Sequence, residues 1–271
     1  MIVTSTLHNH CDMCDGRCSA EEMIEAAITA GFTDFGLSCH SYAPFDLDYS
    51  IKDEAAYLNA LAGLRQKFAG RIRIAYGAEQ DLFAPVRFKD AYDYIIGSVH
   101  YLRDKNGNYH TIDGSLTELK RTLDDVFAGD PMALIAAYYG NVIHMAEEQR
   151  PDIIGHFDVI KKTNSGNTWF SEDDPAYRKL ALSALHRTAD SGAIFEVNTS
   201  PLFKKLGLDV YPSPFLLHEL LTLGAEVMIN TDAHCTEQLL FGIDQTIELL
   251  RDIGFRQIML WQDGRFVKRK L

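Results

Sequence analysis

The 271-residue sequence predicts an α/β fold, a parallel barrel of seven strands with an antiparallel hairpin after the last barrel unit. Three observations predict it. Short apolar, β-prone runs alternate with helical periodicity along the chain. No Gly-rich phosphate fingerprint follows the first strand, which disfavours a dinucleotide fold. Six of the seven predicted strands end in a metal-competent side chain, and strand ends are where a parallel barrel gathers its chemistry.

The first strand spans residues 2–7. Ser19 followed by Glu22 reads as a capping box opening a helix that runs to Ala30 and closes at Gly31. A second strand covers 34–39, and a helix with Tyr57, Leu58, Leu61, Leu64 and Phe68 on one period covers 51–68. Strands three and four are 72–78 and 94–99. The Asn106-Gly107-Asn108 turn leads into helices at 116–128 and 131–148, the second with proline at its first position, where the missing N–H costs little. Strand five (153–155), a helix (175–191), strand six (193–197), a helix (214–223), strand seven (227–230) and a helix (237–251) follow. Residues 258–262 and 265–268 flank Asp263-Gly264, a favoured hairpin turn. Without repeats, low-complexity segments or linkers, residues 1–271 read as one domain. The stretch 101–148 is a helical insertion able to form a lid or pocket wall.

A formal net charge of −12 argues against a nucleic-acid partner, which wants a basic face. It leaves room for a small anionic substrate, because bound cations invert the local sign. No apolar run approaches the roughly 18 residues of a membrane span, and no basic leader precedes the first strand, so the expectation is a soluble, cytoplasmic chain without a membrane partner. Five cysteines, an odd number, argue against a disulfide framework. The oligomeric state is not readable.

The strand-ending residues carry the chemistry. His8 and His10, two apart in extended chain, point the same way, and Asp15 follows after a short turn. His40 ends strand two, Glu79 strand three, His100 strand four and His156 strand five, while Asp232 and His234 follow strand seven. Singly, each reads as a polar residue where a strand meets solvent. Jointly that reading is poor, because loops supply Gly, Asn, Asp and Ser rather than repeated His. Nine ligands exceed the capacity of one ion, so two or three divalent ions (Zn, Mn or Fe) are implied. Glu79 is the natural bridge, since close cations demand anionic ligands such as Asp15, Glu79 and Asp232. Glu79, His100, Asp232 and His234 are the candidate catalytic set.

In this order, His8-Asn9-His10 with Asp15-Gly16, His40, Gly77-Ala78-Glu79, Gly97-Ser98-Val99-His100, Gly155-His156-Phe157-Asp158 and Thr231-Asp232-Ala233-His234 resemble the polymerase-and-histidinol-phosphatase (PHP) family. The match covers nearly the whole chain. With Tyr138-Tyr139 and the 152–162 segment, the chain looks like that family's L-histidinol-phosphate phosphatases. The resemblance implies a distorted, PHP-type (β/α)7 barrel with a trinuclear metal centre. It also implies hydrolysis of L-histidinol phosphate to L-histidinol and phosphate, a step of histidine biosynthesis, by a metal-bridging hydroxide. The alternative is a PHP phosphoesterase for another monoester or for nucleotide phosphodiesters. A non-catalytic metal-binding barrel would lack ligands, and none is missing. Two positions depart from the pattern: Cys39 stands where many relatives carry an acidic residue, and Lys161 where several carry Arg.

Lys161, Asn198 at the end of strand six, and His110 on the loop after strand four are the candidate substrate contacts. Lys162 is the alternative to Lys161 on the same loop, and Arg87, Arg103 and Lys204 are unranked phosphate partners. Cys11-x2-Cys14-x3-Cys18 has zinc-knuckle spacing, although it overlaps the His8/Asp15 motif and lacks a clear fourth thiolate. Cys235 could be a spare ligand, and reduced loop thiols are the plain reading for all four. His144, His186 and His218 lie in helices, where packing or solvation explains them.

Overall fold

The computed structural model describes every residue except Met1 and Leu208. β1 (Ser5–Thr6) leads to α1 (Ala20–Ala30), β2 (Asp34–Leu37), α2 (Glu54–Lys67), β3 (Arg73–Asp81) and β4 (Tyr94–Ser98). A small hairpin of β5 (Tyr101–Arg103) and β6 (Tyr109–Thr111) precedes α3 (Leu116–Phe127) and α4 (Pro131–Gln149). Then come β7 (Ile153–Ile154), α5 (Pro175–Ala189), β8 (Ile194–Asn198), the one-turn α6 (Ser200–Phe203), α7 (Pro214–Leu223), β9 (Val227–Asn230) and α8 (Ile243–Ile253). The terminal hairpin is β10 (Gln257–Gln262) with β11 (Arg265–Lys270).

Local chemistry sets these boundaries. Ser19 and Glu22 form the expected reciprocal cap on α1, and Gly31 closes it at φ 86°. α2 starts three residues later than the periodicity suggests, because the Asp53 carboxylate accepts the Ala56 N–H at 2.9 Å and caps the helix there. α8 starts at Ile243 rather than 237, since Gly242 at φ 78° breaks the chain between it and a separate 3₁₀ turn, Thr236–Gln238.

Seven parallel strands pair in the order β1-β2-β3-β4-β7-β8-β9. The seam between the last and the first is closed just beyond them, where His10 N donates to Ala233 O at 2.8 Å and Ala233 N to His8 O at 3.3 Å. The chain is thus a nearly closed seven-stranded α/β barrel with an antiparallel hairpin, as the sequence predicts. Leu7, Ala75, Tyr94, Ile96, Ile153, Ile194 and Met228 pack inside it with Met259 and Trp261 of β10. The Tyr94 ring lies where a Cβ on Gly36 or Gly77 would clash, so the barrel accepts that ring only beside these glycines. Outside, residues such as Met23, Leu61, Tyr138, Leu185, Leu217 and Leu250 belong to the larger core cluster.

The 101–148 stretch divides in two. α4 packs on β4 and α5 as an ordinary barrel helix. What stands outside the barrel pattern is the β5–β6 hairpin, absent from the sequence reading, and α3. Among the described residues no helix is long and apolar enough to cross a membrane.

Candidate metal centre

Parallel pairing brings the strand ends to one point. β3 runs past its pairing with β2, so that Glu79 pairs with Ile96 of β4 and bridges to His40 beyond β2. Glu79 becomes the hub. Its Oε2 lies 3.2 Å from His8 Nε2, 3.4 Å from His10 Nε2 and 2.8 Å from His40 Nδ1. Its Oε1 lies 3.2 Å from His100 Nε2 and 2.8 Å from His156 Nε2. Asp232 Oδ1 stands 3.5 Å from His8 Nε2 and 3.3 Å from His10 Nε2. Asp15 meets His234 Nε2 at 3.1 Å and His40 Nε2 at 3.6 Å.

These contacts form four overlapping groups: His10–Asp15–His40–His234, His8–Glu79–His156, His8–His10–Asp232 and His40–Glu79–His100, each with its donor atoms within 4.8 Å of one another. Together they contain the same nine residues that the strand-end argument singles out. No cysteine belongs to them among the described residues. Cys11 and Cys39 are instead buried thiols 3.5 Å apart, and all five cysteines are free.

The donor set fits divalent cations. Buried polar atoms normally find hydrogen-bond partners, yet His8 Nε2, His10 Nε2, both nitrogens of His40, Glu79 Oε2 and Asp15 Oδ1 have none. His40 Nδ1 and Glu79 Oε2 are 2.8 Å apart without hydrogen-bonding alignment. So many orphaned nitrogen and oxygen atoms facing one another are what a cluster of hard or borderline cations would satisfy.

Electrostatics agree. Burial alone would push the imidazoles down, but the carboxylates of Glu196, Glu79 and Asp232 raise His8 to about 10. Burial would likewise lift Asp15, Glu79 and Asp232, and the surrounding imidazoles hold all three below the usual carboxylate range. His10 and His100 are raised in the same way as His8, whereas burial holds His40 below the usual imidazole range. Asp232 also adopts φ 51°, a left-handed conformation uncommon outside glycine and the kind of strain that gathers at functional sites.

A cavity of about 390 Å³ opens over this cluster, with Arg17, Lys162 and Lys204 as its cations and Asp113, Tyr49, Phe203 and Tyr211 among its walls. The PHP domain family matches residues 6–200 of the chain. The chain belongs to that family. Over 93% of its length it is 28% identical to a protein named probable histidinol-phosphatase from Deinococcus radiodurans, covering 94% of that protein. A second protein of that name, from Schizosaccharomyces pombe, is 27% identical over 90% of this chain and 84% of its own length. Among solved structures, one described as a histidinol phosphatase from Listeria monocytogenes superposes with a TM-score of 0.74 at 20% identity, covering 89% of this chain and 99% of that one. Histidinol phosphate phosphatase from Lactococcus lactis, solved with Zn, L-histidinol and phosphate, gives 0.67 at 18% identity, covering 97% and 98%.

Around the centre of this PHP barrel lies a residue that sequence reasoning missed. Glu196, fully buried in β8, accepts His8 Nδ1 at 2.7 Å and Asn230 Nδ2 at 3.1 Å on one oxygen, and His156 N and Asn198 Nδ2, both at 2.9 Å, on the other. Its signal was a charge inside the apolar run Ala193-Ile194-Phe195-Glu196-Val197. Asn198 reaches Asp232 Oδ2 at 3.3 Å as well as Glu196, so it braces those carboxylates and does not line the cavity.

Two substrate candidates sit elsewhere than expected. Lys161 is buried, ion-paired to Asp158 at 3.0 Å and bonded to Ser213 Oγ and Val210 O; Lys162, not Lys161, lines the cavity. The two diverge because Val159–Lys161 is a 3₁₀ turn, on which neighbouring side chains point to different sides. His110, in β6, lies 3.3 Å from Asp104 and outside the cavity lining. Arg87 stacks over Tyr42 and Arg103 over Tyr109, also outside it, while Lys204 lines it. Arg17, whose guanidinium meets Cys235 Sγ at 3.0 Å, is a cavity cation the sequence reading did not single out.

Proposed function

We propose that this chain hydrolyses a phosphate monoester, L-histidinol phosphate, to L-histidinol and phosphate, with two or three divalent cations held by His8, His10, Asp15, His40, Glu79, His100, His156, Asp232 and His234. The observation that carries the reading is the convergence of these nine residues, with orphaned buried donor atoms, beneath a cavity sized for a small molecule. The relatives' names, and the Lactococcus lactis structure's zinc, L-histidinol and phosphate, support the choice of substrate.

Divalent cations in these positions supply Lewis acidity, lowering the pKa of water and offsetting charge on phosphoryl oxygens. The chain's own residues do the rest. Glu79 spans five imidazoles from four other strand ends and supplies the anion that close cations require. Glu196 accepts a hydrogen bond from the Nδ1–H of neutral His8 and so turns the Nε2 lone pair inward. Lys162, Arg17 and Lys204 bring positive charge to the cavity for the phosphoryl oxygens, and Asp113 holds Lys162 in place at 3.0 Å.

The test is phosphate release from L-histidinol phosphate, beside p-nitrophenyl phosphate and a bis-ester, by metal-depleted and Zn-, Mn- and Fe-reconstituted protein, with His100→Ala as control. A metal-dependent preference for histidinol phosphate is expected. Equal or better turnover of the bis-ester would overturn the reading and leave a general PHP phosphoesterase.

A further inference from the structure

Tyr49 lies on the 41–53 segment between β2 and α2 and lines the cavity. Its ring stacks on His40 with centroids 3.7 Å apart and planes at 24°, and it meets His100 edge-on at 5.5 Å. It is therefore seated on two of the three members of the His40–Glu79–His100 group. The segment beneath it is well held. Ser50 Oγ accepts Ala43 N at 3.1 Å and donates to Asp46 O at 2.9 Å, Ile51 N donates to His40 O at 3.0 Å, and Tyr101 OH donates to Asp46 at 2.8 Å.

Packing on His40 would call only for a ring, and phenylalanine would serve. A phenylalanine there would leave this stretch of the cavity wall without the donor that the Tyr49 hydroxyl offers. Among the described residues the Tyr49 hydroxyl makes no hydrogen bond, and it shares the cavity wall with the carboxylates of Asp113, Glu79 and Asp15. It therefore faces the space over the cluster, beside groups that can only accept.

We propose that the Tyr49 hydroxyl is a substrate contact, donating a hydrogen bond to an oxygen of the phosphate ester bound over the His40–Glu79–His100 group. The inference rests on the phosphatase reading for its substrate and on the cavity geometry for its donor. A phenol is a hydrogen-bond donor at neutral pH, and a phosphoryl oxygen is the anionic acceptor that the neighbouring carboxylates cannot be. The ring and the hydroxyl then have separable tasks: the ring fixes the plane of His40, and the hydroxyl meets the ligand.

The experiment compares the zinc-loaded full chain with Tyr49→Phe and Tyr49→Ala in three measurements: bound zinc, the Kd for inorganic phosphate by calorimetry, and kcat/KM for L-histidinol phosphate. Tyr49→Phe should keep its zinc while binding phosphate about tenfold or more weakly, the range of a hydrogen bond to a charged group. Tyr49→Ala should also lose zinc affinity, because His40 loses its stacking partner. Phosphate binding by Tyr49→Phe within about twofold of wild type would overturn the proposal, as would loss of zinc from that variant, which would make the hydroxyl part of the metal site. If the wild type binds phosphate but leaves histidinol phosphate intact, the substrate reading fails while the phosphate measurement still decides Tyr49.

Discussion

Replacing Glu196 by Gln separates a brace of the candidate metal centre from its proposed ligands. Four donors converge on this carboxylate: His8 Nδ1, Asn230 Nδ2, His156 N and Asn198 Nδ2. An amide offers one acceptor oxygen and an NH2 group in the same space. The His156 N–H is a fixed backbone donor, so the amide oxygen goes to its side and the NH2 faces His8 Nδ1. His8 must then accept at Nδ1 and carry its proton on Nε2, the atom that faces Glu79 and Asp232. A coordinating nitrogen is thereby blocked by its own tautomer. Loss of such a brace costs about 10–100-fold in metal affinity, or about 1.4–2.8 kcal/mol, and the tautomer argument puts Glu196→Gln toward the upper end. The assay is the zinc Kd by chelator competition near neutral pH, with near-UV circular dichroism confirming the fold. A Kd within about twofold of wild type would refute the reasoning, because it would mean that His8 binds metal irrespective of what Nδ1 touches.

Two further outcomes are expected. Lys161→Met leaves the buried Asp158 carboxylate without its cation and should lower stability in urea by about 3–5 kcal/mol, whereas Lys162→Met, whose partner Asp113 is less buried and lines the cavity, should cost clearly less stability and raise KM; the reverse pattern would return Lys161 to the substrate. Metal uptake should release protons, because His8, with its pKa raised to about 10 in the metal-free chain, holds a proton through neutral pH that a cation must displace. Zinc affinity therefore falls as pH falls, and calorimetry in buffers of different ionisation enthalpy should show at least about one proton released; a buffer-independent heat would contradict this.

The nine cluster residues were legible because each leaves a residue-type signal at a place the pattern already marks. A histidine or carboxylate directly after an apolar run has few reasons to be there, and six runs agree. Residues that act through direction rather than type were not legible. Lys161 and Lys162 are chemically alike and adjacent, and only the 3₁₀ turn beneath them decides which reaches the cavity. Tyr49 sits in a segment without periodicity, so its stacking on His40 has no counterpart in spacing. Asn198 shows the same limit: a polar residue at a strand end suggests a substrate contact, and in the structure its amide donates to the carboxylates of Glu196 and Asp232. The β5–β6 hairpin was missed because its strands are three residues each, too short for alternation to register.

Barrel closure and the candidate centre share the same few residues. β1 is only two residues long, too little to hold a seam by itself. The closing backbone bonds come from His8 and His10 on one side and Ala233 on the other, inside the two motifs that present His8, His10, Asp232 and His234. The carboxylate of Asp232, brought by the last strand, lies against the imidazoles of His8 and His10, brought by the first. The terminal hairpin reinforces this edge from the other end, where Trp261 N donates to Ser5 Oγ at 3.0 Å. Cations bound by these residues would therefore join the first and last strands of the sheet, and their binding energy would count toward closing the barrel as well as toward holding substrate. On that account the shortness of β1 is tolerable because the seam is tied at both ends, by the hairpin at one and by the centre at the other.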